Sequence, residues 1–248
     1  MSHQTLALVG AVGGAGTTRT AVECGGLLAT AGYDVAVLDA AFATQGLADY
    51  VSGRLPTDLT AVVTEDVPLE DALVPIATDL AGDLVAAPAR APFERVARAK
   101  TAGAADRFER AVAAAGFSSD VVIVDTPPVA ANQAVAAVSA CERVALVAPA
   151  TRRGVDGVAR TSGVLEDVGA PADAVVTTQA GDEDVLPEAV ARLPAVDVRD
   201  AADCPSCVRD GSPLARPVAA LVAATLDVEI EVETPESGGI ERFLPGGE

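Results

Sequence analysis

Leu6-Ala-Leu-Val-Gly10-Ala-Val-Gly13-Gly14-Ala15-Gly16-Thr17-Thr18-Arg19-Thr20 joins a short apolar run to a glycine-rich turn and then to a segment with helical spacing. Glycines at a strand-to-helix turn leave backbone N–H groups free to converge on an anion, and the following helix N-terminus reinforces them. A phosphate site is therefore predicted, although a glycine cluster on its own also suits a plain tight turn. Outward from this stretch the chain repeats one pattern. Leu6–Val9, Val35–Leu38, Leu84–Ala87, Val121–Val124, Val144–Ala148 and Ala174–Thr177, with a weaker run near Leu193–Val198, have the length and continuous apolarity of strands buried on both faces. Between them Thr18–Ala31, Phe93–Ala115, Arg153–Val168 and Pro213–Thr225 read as helices. Strand and helix in alternation predict an α/β fold with one doubly wound, mostly parallel sheet, whose ligands sit beyond the carboxyl ends of the strands.

Composition narrows the chemistry. The 248 residues include one histidine, His3, and one lysine, Lys100, which excludes a Ser-His-Asp hydrolase and an HExxH metalloenzyme. The formal net charge of -19 disfavours a nucleic-acid surface, since phosphate backbones are bound mainly by Lys and Arg. Acidic charge spread along the chain, arginine in place of lysine and scarce aromatics resemble the cytoplasmic proteins of salt-accumulating halophiles. The N-terminal stretch lacks a positive region and breaks into glycines, and no window holds 18 uninterrupted apolar residues, so a cytoplasmic protein with reduced cysteines is expected.

Two readings compete for the loop. Gly10, Gly14 and Gly16 with Asp39 at the end of the second strand suit a Rossmann dinucleotide loop and its acidic ribose partner. A short-chain dehydrogenase would need a Tyr-x-x-x-Lys pair, which Tyr33, Tyr50 and Lys100 do not form, so that reading reduces to a non-catalytic dinucleotide binder. The second draws on more of the chain. Gly13-Gly14-Ala15-Gly16-Thr17-Thr18, Val35-Ala-Val-Leu-Asp39-Ala40-Ala41, Asp120-Val-Val-Ile-Val-Asp125-Thr126-Pro127-Pro128 and Arg209-Asp-Gly-Ser-Pro213 follow in order over some 225 residues. Together they resemble the MinD/ParA family of deviant Walker P-loop ATPases. The resemblance implies a three-layer P-loop NTPase sandwich over residues 1–226, binding of ATP or ADP at Gly13, Gly14, Ala15, Gly16, Thr17 and Thr18, and Mg²⁺ ordered near Thr18, Asp39 and Asp125. It also implies a homodimer, or a heterodimer with an active paralogue, working in intracellular positioning such as cell division or partition.

Departures from the family pattern concern charge. Where the pattern reads Lys-Gly-Gly-Val-Gly-Lys-Thr-Thr, this chain has Val12 and Thr17 at the two lysines, and Ala41 replaces the second aspartate that helps position attacking water. The asparagine that reads adenine is replaced within Val175-Val-Thr177-Thr178-Gln179. Each lost charge-assisted phosphate contact costs about 1.5–3 kcal/mol, roughly 10- to 100-fold in affinity. Hydrolysis depends almost wholly on such charge, so weak or vestigial nucleotide binding without turnover is expected. An unusual active ATPase that substitutes arginine is the alternative. Arg19 should point away along the helix, to solvent or into a salt bridge, which leaves Arg152 and Arg153, just past Pro149, as candidate phosphate charges.

Cys204-Pro-Ser-Cys207 carries the remaining chemistry. Two thiolates at this spacing suit a metal or a redox dithiol, activated if they sit at a helix start. One pair supplies half of a tetrahedral site, which a homodimer would complete as in the Mrp and Nbp iron–sulfur scaffolds that resemble MinD. In those relatives the pair lies earlier in the chain, which argues for small packed thiols instead of a cluster. Cys24 and Cys141 read as packing residues. Residues 227–248 carry seven acidic side chains and one arginine, the composition of a disordered tail. Ile240, Phe243 and Leu244 would share one face of a helical turn there, a candidate docking foot and the sole predicted route to a membrane.

Overall fold

The computed structural model describes residues 3–65, 67–181, 185–196 and 201–232. The predicted docking foot at Ile240, Phe243 and Leu244 lies outside them. Eight strands form one sheet: β1 (Gln4–Gly10), β2 (Val35–Asp39), β3 (Val74–Ala77), β4 (Leu84–Ala87), β5 (Val121–Thr126), β6 (Arg143–Pro149), β7 (Ala174–Ala180) and β8 (Ala191–Pro194). Their order is β3-β4-β2-β5-β1-β6-β7-β8, and every pairing is parallel except β3 with β4. The helices are α1 (Thr17–Thr30), α2 (Leu59–Thr64), α3 (Phe93–Ala99), α4 (Ala102–Ala115), α5 (Asn132–Ala140), α6 (Arg152–Asp167) and α7 (Ala215–Thr225).

Alternation along each strand builds two cores. Leu6 and Leu8, Val35 and Val37, and Val121 and Ile123 face α1 and α7, whereas Ala36, Leu38, Val122 and Val124 face α4 and its neighbours. Ala7 and Val9 pack with Val158 and Leu165 of α6. Strands apolar on both faces need helices on both, and the result is a three-layer α/β sandwich. Small side chains set the spacing: a Cβ on Gly25 would stand 2.6 Å from Leu84 Cδ1.

Several predicted elements differ in detail. The segment Phe93–Ala115 is not one helix; it breaks at Lys100–Thr101, where Thr101 turns extended at ψ 158° and redirects the chain. The weak strand near Leu193–Val198 lies earlier, at Ala191–Pro194, and residue 198 is outside the described set. Strand β3 pairs antiparallel at an edge, where Pro75 is tolerated and exposed, and the proline breaks the strand signal of its short apolar run. Packing continues past α7: Leu226 and Val228 are buried, and Ile230 rests on the same core. Among the described residues no helix is long and apolar enough to cross a membrane.

Candidate nucleotide and cation site

The loop between β1 and α1 is shaped by backbone that only glycine adopts freely. Gly14 and Gly16 have φ of +76° and +82°, in the left-handed region. Gly13 and Gly14 face open space, whereas Ala15 is buried and its carbonyl accepts a 2.6 Å hydrogen bond from Thr178 Oγ1 on β7. Thr161 Oγ1 of α6 donates to Ala11 O at 3.3 Å. The loop is thus braced from two neighbouring elements.

The two positions at which the family pattern has lysine, Val12 and Thr17, behave differently. Val12 is 7% exposed and packs on α6, where a Cβ on Gly157 would stand 2.5 Å from Val12 Cγ1. It is a core residue, turned away from solvent. Thr17 is half-buried at the start of α1, and its hydroxyl lies over Gly10, 2.8 Å from where a Cβ would be.

Beside the loop stand the oxygen donors. Asp39 and Asp125 end adjacent strands and are register partners, a consequence of β2 pairing in parallel with β5. Both are almost fully buried. Thr18 Oγ1 donates to Asp125 Oδ2 at 2.6 Å. Asp39 Oδ1 accepts from Ala41 N at 2.7 Å, and its Oδ2 from Ala89 N at 3.2 Å. Burial pushes the Asp39 carboxyl up to about 8, with the Asp125 charge adding to it, and burial raises Asp125 to about 6 against the pull of the Thr18 hydrogen bond. Two buried carboxylates side by side resist carrying two charges unless a cation joins them. Two carboxylates and a hydroxyl are the hard oxygen donors that suit Mg²⁺. Among the described residues no set of three His, Cys, Asp or Glu forms a closed metal cage, so a cation here would complete its shell with water or phosphate.

Next to this pair the segment 40–46 folds over the site. A Cβ on Gly46 would lie 3.4 Å from Thr18 Oγ1. Gln45, at φ +57°, donates to Ala91 O at 2.9 Å and accepts from Ala91 N at 3.1 Å. Arg152 and Arg153 open α6 and are exposed, at the carboxyl end of β6 beside β1. Thr151 caps that helix, accepting from Gly154 N at 3.2 Å.

Arg19 faces along α1, as predicted, and pairs with Glu23 at 3.3 Å. The surprise is Glu23 itself, wholly buried and wrapped by the cysteine loop. Its carboxylate accepts from Ser206 N at 2.8 Å, Ser206 Oγ at 2.7 Å and Cys207 N at 2.6 Å. Pro205 lies against α1, where a Cβ on Gly26 would be 2.2 Å from its Cβ. Cys204 and Cys207 therefore do not start a helix: they sit in a loop well ahead of α7. Their thiols are not activated either. Burial and the Glu23 charge push Cys204 up to about 11 and Cys207 higher still, the reverse of the lowering expected at a helix start. A lone acid within the apolar run Ala21-Val-Glu-Cys-Gly-Gly-Leu-Leu28 was the available sequence signal for this contact. A groove of about 980 Å³ lies elsewhere, between the end of α1 and segments 207–216 and 229–232.

No family model matches the chain, and no curated protein does. Solved structures do. A chain of the MinC:MinD cell division protein complex of Aquifex aeolicus superposes with a TM-score of 0.74 at 19% identity, covering 93% of this chain and 98% of that one. The septum site-determining protein MinD of Pyrococcus horikoshii, complexed with Mg-ADP, gives 0.66 at 19% identity over 77% and 81%. Cobyrinic acid a,c-diamide synthase of Mycobacterium smegmatis gives 0.66 at 21% identity over 89% and 93%. The sheet order, the braced glycine loop and these superpositions lead to one conclusion: this chain has the fold of the MinD/ParA P-loop ATPases.

Proposed function

We propose that the protein is a nucleotide-binding relative of the positioning ATPases whose site keeps its cradle and cation ligands but has lost its phosphate charges. The observation that carries this is the pairing of an intact Thr18–Asp125–Asp39 cluster with a core valine at position 12 and a threonine at position 17. Gly13, Gly14, Ala15, Gly16, Thr17 and Thr18 would hold the phosphates through backbone N–H groups, and Thr18, Asp39 and Asp125 would order Mg²⁺, which screens phosphate charge when bound. Mg-ADP in the Pyrococcus horikoshii neighbour supports the choice of ligand. With no lysine at the loop and Ala41 in place of an acid, the domain binds without hydrolysing. It acts as a regulatory or scaffolding member of a homodimer or of a pair with an active paralogue, a reading that the MinC:MinD assembly of a neighbour supports. The P-loop domain, expected over residues 1–226, packs on as far as Val228 and Ile230, and the acidic stretch follows.

Equilibrium binding of ATP and ADP with Mg²⁺ in molar KCl tests the reading, with turnover followed in parallel and Gly16→Asp as control. Binding without turnover, abolished in Gly16→Asp, is the expected result. Turnover would favour the rival, in which Arg152 and Arg153, exposed at the carboxyl end of β6, supply the missing charge. No binding by the wild-type chain would overturn nucleotide recognition altogether.

A further inference from the structure

Phe93 opens α3 with 87% of its surface in water and is, with Phe117 at 92%, one of two exposed phenylalanines among the described residues, whereas Phe42 and Phe108 are wholly buried and stacked edge to face at 6.0 Å. The stretch around it is unusual in charge as well. Residues 90–100 hold Arg90, Arg95, Arg98 and Lys100 against the single acid Glu94, a local +3 within a chain of net -19. Arg95 is spent on Asp58 and Glu65, and Arg98 reaches Glu65 at 3.9 Å. Arg90 and Lys100 form no ion pair among the described residues. Phe93 and Ala97 follow at i and i+4 on one face of α3, half-buried Lys100 caps the C-terminal end of that helix at i+7, and exposed Arg90 lies just ahead of it.

We infer that Arg90 and the Phe93–Lys100 face of α3 form a docking surface for a partner protein, which presents an acidic segment bearing an apolar anchor side chain. Aromatic and arginine side chains are what protein interfaces concentrate, and lone cations on an acidic molecule select acidic partners by complementarity while repelling other copies of the same surface type. A nucleic acid would have to approach through the field of the remaining acidic groups, which disfavours it. The surface is also fastened to the site described above. The turn leading into α3 is held by the hydrogen bond from Ala89 N to Asp39 and by the pair of hydrogen bonds between the Gln45 amide and the Ala91 backbone, so a partner seated on Phe93 pulls on the same backbone that lines the cation cluster.

The inference does not depend on nucleotide binding, and it is tested without nucleotide. A short fluorescent Asp/Glu-rich peptide with one central leucine is titrated against the full chain in low salt and in molar KCl, beside the same peptide with serine for leucine. Single-stranded DNA and anionic vesicles of phosphatidylglycerol serve as rival probes. The leucine peptide should bind about tenfold more tightly than the serine one, and Phe93→Ser should abolish that difference. Arg90→Ser with Lys100→Gln should remove most of the salt dependence and leave the leucine preference. Arg90 and Phe93 are exposed and Lys100 is half-buried, so each variant is first matched to the wild type by thermal melting. Equal binding of both peptides, an unaltered Phe93→Ser titration, or preference for DNA or vesicles over the leucine peptide would overturn the proposal.

Discussion

Replacing Glu23 tests whether the cysteine loop is a clamp on the helix that carries the glycine loop. Glu23→Ala would leave Ser206 N, Ser206 Oγ and Cys207 N without their acceptor and Arg19 without its partner, all at a position with no solvent exposure. A buried donor left unsatisfied costs about 1–3 kcal/mol, and breaking a buried ion pair by removing one partner costs about 3–5 kcal/mol. Arg19 keeps a quarter of its side chain in water, and the loop can relax, so the sum of the donors is not reached. The expected loss is about 3–5 kcal/mol, or about 6–20 °C in Tm for a chain of this size. Urea unfolding measures it, and a cycle with Ser206→Ala locates it. That second change costs about 1 kcal/mol in the wild type and less once Glu23 is gone, when Ser206 Oγ keeps only the hydrogen bond it accepts from Arg19. A Glu23→Ala loss below about 1 kcal/mol, or fully additive costs, would refute the clamp.

The carboxylate pair predicts a pH dependence in chelator. Asp39 and Asp125 both rise above their ordinary value of 3.8, so the native state binds more protons than the unfolded chain and stability falls as pH rises, present below about 4 and lost by about 8. Asp39→Asn should flatten that slope in thermal melts and Mg²⁺ should offset it; an unchanged slope in the variant would contradict the assignment. Introducing lysine at positions 12 and 17 should be asymmetric. Thr17→Lys, at a half-exposed site, should tighten Mg-ATP by roughly 10- to 100-fold in calorimetry, whereas Val12→Lys buries a charge against Gly157 and should lower the melting temperature instead. Native Cys207 should resist iodoacetamide at mildly alkaline pH and be alkylated only on unfolding, as mass spectrometry will show; rapid native labelling would contradict its raised, buried thiol.

Strands buried on both faces were legible because Val121-Val-Ile-Val124 or Val144-Ala-Leu-Val147 can be nothing but interior, and the glycine turn fixed the end of the sheet at which a ligand sits. Edge and surface elements were not. Strand β3 is four residues with a proline, and α2 is six, so each repeats its pattern only about twice or less and gives a weak periodic signal. Within the site, Asp39 and Asp125 were found because each ends an apolar strand. Gln45 and Glu23 were missed because their partners, Ala91 and Ser206, lie 46 and 183 positions away and are bonded through backbone that no pattern marks. The cysteine pair misled in the opposite sense, since spacing says nothing of burial.

The bracing of the glycine loop by Thr178, Thr161 and Gly157 has a thermodynamic corollary. Ordering each loop residue costs about 1–2 kcal/mol of backbone entropy, and here folding itself meets that cost through β7 and α6. A ligand arriving at Gly13–Gly16 finds its donors already aimed, so weak attraction is not weakened further by a disorder-to-order step. The same bracing makes the loop a keystone of the seam between β1, β7 and α6, which gives the fold its own reason to keep the loop whatever it binds.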